Sequence, residues 1–235
     1  MILKKLNNYL KLREKNSSKV AIIGITGLPA KYGGFETFVE QLIKGKYHLF
    51  SVYCSSSYKS NRKRLYHETK LHHLFIPANG PLSPIYDALS CLHALFLGYK
   101  KLLILGVSGA PILILFKLLL NVKTYTNIDG IEWRRDKWGN LAKNYLRIAE
   151  YFAVKYSDYV VTDNEVITKY IKEFYNINSS TIMYGGDTYK EPILSSDKGY
   201  ALSICRIEPE NNIHIILESF LVTDYKLIFV GNWDS

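Results

Sequence analysis

Four stretches of this 235-residue chain carry residue types that could hold a ligand. The first runs Gly24-Ile-Thr-Gly27-Leu-Pro-Ala-Lys-Tyr-Gly33-Gly34-Phe-Glu36. Glycines just ahead of a helix let backbone amides approach an anion, so Gly33 and Gly34 are candidates for such a contact. The same pair would also serve simply to make a tight strand-to-helix turn, and the spacing fits neither a dinucleotide fingerprint nor a P-loop. The second stretch is Asn127-Ile-Asp129-Gly130-Ile-Glu132-Trp133-Arg134-Arg135. Asp129, Glu132 and Trp133 form a natural sugar contact set, because carboxylates accept hydrogen bonds from hydroxyls and an indole face packs on a pyranose ring. Alternatively, Asp129 and Gly130 make a turn while Glu132 pairs with Arg135 or Lys137. In the third, Asp163-Asn164-Glu165, either of the first two residues suits a helix cap as well as a ligand. The fourth, Arg206-Ile-Glu208-Pro209-Glu210-Asn211-Asn212, places a cation beside a new helix start, where Arg206 could clamp a diphosphate while Glu208 and Asn211 cap and turn the chain. No His-rich or Cys-rich spacing suggests a metal, and no Ser/His/Asp constellation can be assembled by spacing.

The elements that must position these residues follow a simple pattern. Short apolar runs alternate with helical patterns, the signature of a parallel sheet covered by helices. Strands are expected at 20–23, 50–53, 71–76, 102–105, 122–126, 159–162 and 180–183, and helices at 35–43, 86–97, 111–120, 138–156 and 165–174. In the helix at 138–156 the residues Trp138, Leu141, Tyr145, Ile148, Phe152 and Tyr156 recur three or four apart and read as the buried stripe. The apolar run 102–120 is interrupted by Gly106, Gly109, Pro111 and Lys117, so it reads as a buried strand and helix rather than a membrane span. After a linker-like stretch at 185–198 come a strand at 200–204, a helix at 211–220 and a strand at 226–230. Ligands in open parallel sheets sit at the carboxyl ends of the strands, which is where all four candidate stretches fall.

The fold class expected is therefore α/β with a doubly wound, Rossmann-like parallel sheet. The domain organisation expected is a basic extension over 1–17, a first domain over 18–186, a hinge over 187–198 and an incomplete second Rossmann-like domain over 199–235.

The net charge of +9 is concentrated at the start, where Lys4, Lys5, Lys11, Arg13 and Lys15 face only Glu14. The rest is only modestly basic, which fits phosphorylated substrates or an anionic membrane surface, and no nucleic-acid reader motif is present. Cys54, Cys91 and Cys205 lie far apart, as in a reducing, cytoplasmic compartment. Met1 to Lys19 lacks the apolar core and cleavage site of a secretory signal. Ile2, Leu3, Leu6, Tyr9 and Leu10 recur at helical spacing between lysines, so this start reads either as an amphipathic segment lying on an anionic leaflet or as a frayed extension.

Taken together, the segment from Val20 to Phe38, Ile128-Asp129-Gly130-Ile-Glu132-Trp133, Asp163-Asn164-Glu165 and the segment from Ala201 to Asn212 resemble the rhamnosyltransferase-like branch of glycosyltransferase family four. That resemblance implies the GT-B fold, two Rossmann-like domains with the acceptor mainly on the first and the nucleotide-sugar on the second. It implies that Gly33 and Gly34 approach donor phosphates or acceptor, that Arg206 contacts the donor diphosphate, and that Asp129, Glu132 and Trp133 line the acceptor side. It further implies hexosyl transfer, with rhamnose from a dTDP donor leading, onto a lipid-linked saccharide for surface polysaccharide, without a metal or other cofactor. Two departures stand out. Asn211 replaces a lysine that many relatives carry five residues after the arginine, and the paired-glutamate motif of the second domain is missing before Ser235. The chain is accordingly expected to be truncated and inactive by itself; the rival readings are a non-catalytic binding module of the same fold and a Rossmann oxidoreductase.

Overall fold

Val20–Ile23 is a run of four apolar residues, too short for a helix, and it forms strand β1 with Ala21, Ile22 and Ile23 fully buried. A strand buried on both faces belongs inside a parallel sheet. The structure is a computed structural model that describes residues 2–31, 33–55, 63–185, 198–205 and 207–231. In it β1 lies within an eight-stranded sheet with β2 (Phe50–Ser55), β3 (Leu65–Tyr66), β4 (Thr69–Leu74), β5 (Lys101–Leu105), β6 (Lys123–Ile128), β7 (Tyr159–Thr162) and β8 (Ser180–Thr181), in the order β3-β4-β2-β1-β5-β6-β7-β8. Every pairing is parallel except that of β3 with β4. The doubly wound, Rossmann-like α/β class is thus borne out.

The chain steps outward from β1 to β2 and β4, then returns past β1 to β5 and continues to β8. Right-handed crossovers running in opposite directions put their helices on opposite faces. So α2 (Gly34–Ile43) covers one face, and α3 (Ser83–Phe96), α4 (Leu113–Leu119), α5 (Asn140–Tyr156) and α6 (Glu165–Tyr175) cover the other. Against α2, Val39 and Ile43 pack with Ile22, Val52, Cys54, Leu71 and Leu105. The direction reverses between β1 and β5, which makes their carboxyl ends the topological switch point.

The structure removes one of the two readings of the start, corrects one expectation and adds one element. The basic start is not frayed: α1 (Ile2–Ser17) is a helix seated on the end of α3, where the Tyr9 hydroxyl and Arg13 guanidinium both donate to the Phe96 carbonyl at 2.7 and 2.8 Å. Asn16 adds a bond to the Leu97 carbonyl at 3.0 Å. In α5 the face turned inward is Leu146, Ala149, Glu150, Ala153 and Val154, whereas Leu141 and Ile148 are exposed. Small residues face inward there because they let the helix backbone approach, and the buried Glu150 carboxylate is met by the Tyr170 and Tyr175 hydroxyls. Finally, β3 pairs with β4 as a hairpin through His67 at φ +50° and Glu68, an element too short to leave a period in the sequence.

The chain divides into two compact units, Met1–Glu132 with Asn144–Tyr184, and Trp133–Lys143 with Gly185–Ser235. In the second, β9 (Tyr200–Ile204) and β10 (Lys226–Val230) pair in parallel around the crossover α7 (Ile213–Leu221). Arg206, and the expected hinge at 187–198 apart from Lys198, lie outside the described residues.

Candidate functional site

The switch point begins with Gly24, at φ +102° directly after β1. A Cβ there would lie 2.1 Å from the Leu105 carbonyl oxygen, so only glycine lets β1 and β5 run this close at their carboxyl ends. The loop that follows is folded back by Glu36, 3% exposed in the first turn of α2, whose Oε1 accepts from both the Thr26 amide and the Thr26 hydroxyl at 2.8 Å. This buried carboxylate fixes the approach to α2 from within.

Gly33 is the N-cap of α2 and has no side chain with which to bond the first amides of the helix. Among the described residues, a Cβ on Gly34 would meet nothing within 4 Å, and one on Gly33 only the Glu36 carboxylate at 3.4 Å. Gly33 is itself in the extended region that any residue adopts. Packing and backbone conformation thus leave open space beside a helix start, the arrangement in which main-chain amides bind anions.

Asn127, Asp129 and Asp163 arrive at the same edge from the ends of β6 and β7. Asn127 is 2% exposed; its amide donates to the Tyr184 hydroxyl at 3.3 Å, and its Oδ1 has no partner among the described residues. The Tyr184 ring lies against Phe38 of α2 at 5.2 Å between centroids. Burial raises the Tyr184 pKa, and the Asp129 and Asp163 charges raise it further, so the phenol keeps its proton. Asp163 is also raised, first by burial, against the hydrogen bond it accepts from Asn164 at 2.7 Å. Asn164 is the helix cap: its Oδ1 accepts from the Ile167 amide at 3.0 Å. Tyr184 therefore joins the start of α2 to the ends of β6 and β7, and the edge offers two carboxylates, an amide and a phenol to a polyhydroxylated ligand.

The remaining candidates divide between the two units. Glu132 closes the first segment of the first unit and is half-buried at the start of a single helical turn, Glu132–Arg134. Trp133 belongs to the second unit, with the Arg134 guanidinium 5.1 Å from its ring centroid. In that unit Arg135 reaches Glu208, donating at 2.8 Å, so the Glu208 carboxylate serves an ion pair as well as preceding the turn Pro209–Asn211.

Two residues escaped the sequence reading. Tyr184 lies three residues past β8, where a polar aromatic beyond a strand end is a usable signal, but the stretch that follows reads as linker. Asp87 lies in α3, 3% exposed, receiving the Ser108 hydroxyl from the loop after β5. Its signal is the single acid of a mostly apolar helix.

Known proteins of this shape are consistent with the sheet described. Sucrose-phosphate synthase from Thermosynechococcus elongatus superposes with a TM-score of 0.64 at 11% identity, covering 92% of this chain and 71% of that one. Arabidopsis thaliana UGT89C1 complexed with UDP gives a TM-score of 0.49 at 12% identity over 93% and 70% of the two chains, too low to carry weight. At such identities the likeness is one of fold, and no curated protein matches the chain. Residues 17–187, most of the chain, match the family described as Domain of unknown function (DUF1972), and the protein belongs to that family.

Proposed function

We propose that this chain works in glycosyl transfer, binding a nucleotide-sugar donor and a saccharide acceptor at the carboxyl edge of its large sheet. The observation that carries the reading is the meeting of Asn127, Asp129, Asp163 and Tyr184 beside the open start of α2. Hydroxyl-rich ligands need acceptors and donors together, and a diphosphate needs amides or cations. The fold shared with a protein named sucrose-phosphate synthase supports the same reading. In finer detail, the chain is a family-four transferase of the rhamnosyl branch, taking a hexose, with rhamnose from a dTDP donor leading, to a lipid-linked saccharide of a surface polysaccharide at the cytoplasmic face of the membrane. By the resemblance to family four, Gly33, Gly34 and Arg206 are assigned to the donor diphosphate, and Asp129, Glu132 and Trp133 to the acceptor. Main-chain amides and the guanidinium offset the charge that develops on the leaving diphosphate.

Saturation-transfer NMR, which reads weak binding, tests this with dTDP-rhamnose, UDP-glucose and a nicotinamide dinucleotide offered in turn. The expected outcome is saturation of a nucleotide-sugar, weakened about tenfold by Gly34→Val because a side chain now occupies the approach to the amides. The same substitution leaves the melting temperature nearly unchanged, since its Cβ meets nothing among the described residues. Saturation of the dinucleotide alone would move the protein to redox chemistry, and equal losses of binding and stability would return the glycines to a turn.

A further inference from the structure

Every exposed residue of α3 is apolar. The helix buries Tyr86, Asp87, Ser90, Cys91 and Ala94 toward the sheet and turns Ile85, Leu89, Leu92 and Phe96 outward, 50, 42, 39 and 62% exposed. Offsets of four, three and four place these side chains in one row along the whole helix. The single acid of α3, Asp87, points the other way. On the same sheet face α4 exposes Leu118 and Leu119, at 68 and 71%. Helices of water-soluble folds carry charge on the outer side, and an unbroken apolar row such as that of α3 marks a docking site.

The charge around the row decides what docks. Lys11 and Lys15 lie exposed on α1, which is held to the Phe96 carbonyl, and Lys100 is exposed just beyond α3. Lys117 lies in α4, where it also meets Asp158 at 3.2 Å. Set against Glu14, also exposed on α1, and Asp158, these four lysines leave the charge beside the row net positive. A second copy pairing through this face about a two-fold axis would bring the same lysines together from both sides, which opposes self-association. An anionic lipid surface satisfies both features, since lysines meet headgroups while apolar side chains enter the acyl boundary. Among the described residues no helix is long and apolar enough to cross a membrane.

We propose that the outer face of α3 and α4 is a membrane-docking surface, with Ile85, Leu89, Leu92, Phe96, Leu118 and Leu119 entering one leaflet and α1 contributing lysines to its rim. The surface needs neither donor nor acceptor, so it stands or falls apart from the transfer reading. The test is co-sedimentation of the full chain with vesicles of phosphatidylcholine and phosphatidylglycerol mixed at roughly two to one, and with phosphatidylcholine alone. Binding is expected to the anionic vesicles and to fall about tenfold or more in Leu89→Glu/Phe96→Glu, with partial loss at high salt. Leu92→Cys in a Cys205→Ser background, carrying an environment-sensitive dye, gives a second readout. Its emission should shift to the blue on anionic vesicles, while the same dye at Val166→Cys, exposed on α6, should not move. Unchanged binding by the double variant, or a dye at position 92 that stays in water, overturns the proposal. A concentration-dependent dimer that Leu89→Glu/Phe96→Glu dissolves, without vesicle binding, overturns it in favour of a contact between copies.

Discussion

Asp87 is a carboxyl group shut away from water, and burial pushes its pKa up to about 7 against the hydrogen bonds of Ser108 and the Gly109 amide. Its Oδ1 has no partner among the described residues, so no hydrogen bond there offsets the charge of the carboxylate form. The folded chain thus binds this proton more tightly than the unfolded chain does. The stability it contributes is complete below the ordinary carboxylate pKa of 3.8 and is lost as pH rises through about 7. Asp87→Asn keeps an acceptor for the Ser108 hydroxyl and removes the titration. It is expected to raise stability by on the order of 1–3 kcal/mol at pH 8 and to change it little at pH 4. Urea unfolding at the two pH values checks this; an equal effect at both would assign Asp87 to packing alone.

Helices α1 and α5 show what packing adds to a sequence pattern. The last carbonyls of α3 have no partner within their own helix, and Tyr9, Arg13 and Asn16 of α1 supply three donors to Phe96 and Leu97. A cation there also opposes the negative end of the helix dipole. Arg13→Ala is therefore expected to lower unfolding stability by about 1 kcal/mol, an effect that a loosely attached extension would not show in urea titration. On α5 the inward face is small, so added volume has nowhere to go: Ala153, fully buried, should resist enlargement. Ala153→Leu is expected to cost about 1–3 kcal/mol, whereas Ile148→Lys, at a position 56% exposed, should stay within about 0.5 kcal/mol of the parent. Thermal melts of the two variants separate the observed face from the apolar stripe read from sequence, because that stripe predicts the reverse order.

Across the whole molecule, two buried groups titrate against each other. His72 on β4 packs on the Tyr53 ring and meets the Tyr99 hydroxyl at 2.9 Å, and burial, helped by Lys70, His93 and His73, lowers its pKa to about 3. The unfolded histidine takes up its proton near 6.5, so this group contributes stability above that pH and loses it as pH falls toward 3. Asp87 has the opposite slope between about 4 and 7. The parent chain is expected to show little net change of unfolding free energy with pH where the two windows overlap. His72→Phe should unmask a fall in stability with rising pH, and Asp87→Asn a rise, each at up to ~1.4 kcal/mol per pH unit. Parallel pH profiles of the three proteins would show that neither group governs the acid response.

The sequence by itself determined the alternation of strands and helices. Strands β1, β7, β9 and β10 fall at the residues expected, because a short apolar run bounded by turn residues is a local feature. It also placed Gly33 and Gly34 at a helix start after β1 and Asp129 at a strand end, since that follows from order along the chain. What only the tertiary structure decided is which neighbours each side chain meets. Leucines and tyrosines at helical spacing on α5 read as its core face, yet close approach to the sheet selected Ala149 and Ala153 instead. The apolar row of α3 faces outward although its composition suggests burial, and Asp87 faces inward although an acid suggests the surface. Tyr184 joined the candidate site only because the chain after β8 returns to Phe38 and Asn127, far away in sequence. Periodicity records the conformation of a segment, while burial and electrostatics depend on long-range contacts that leave no period to read.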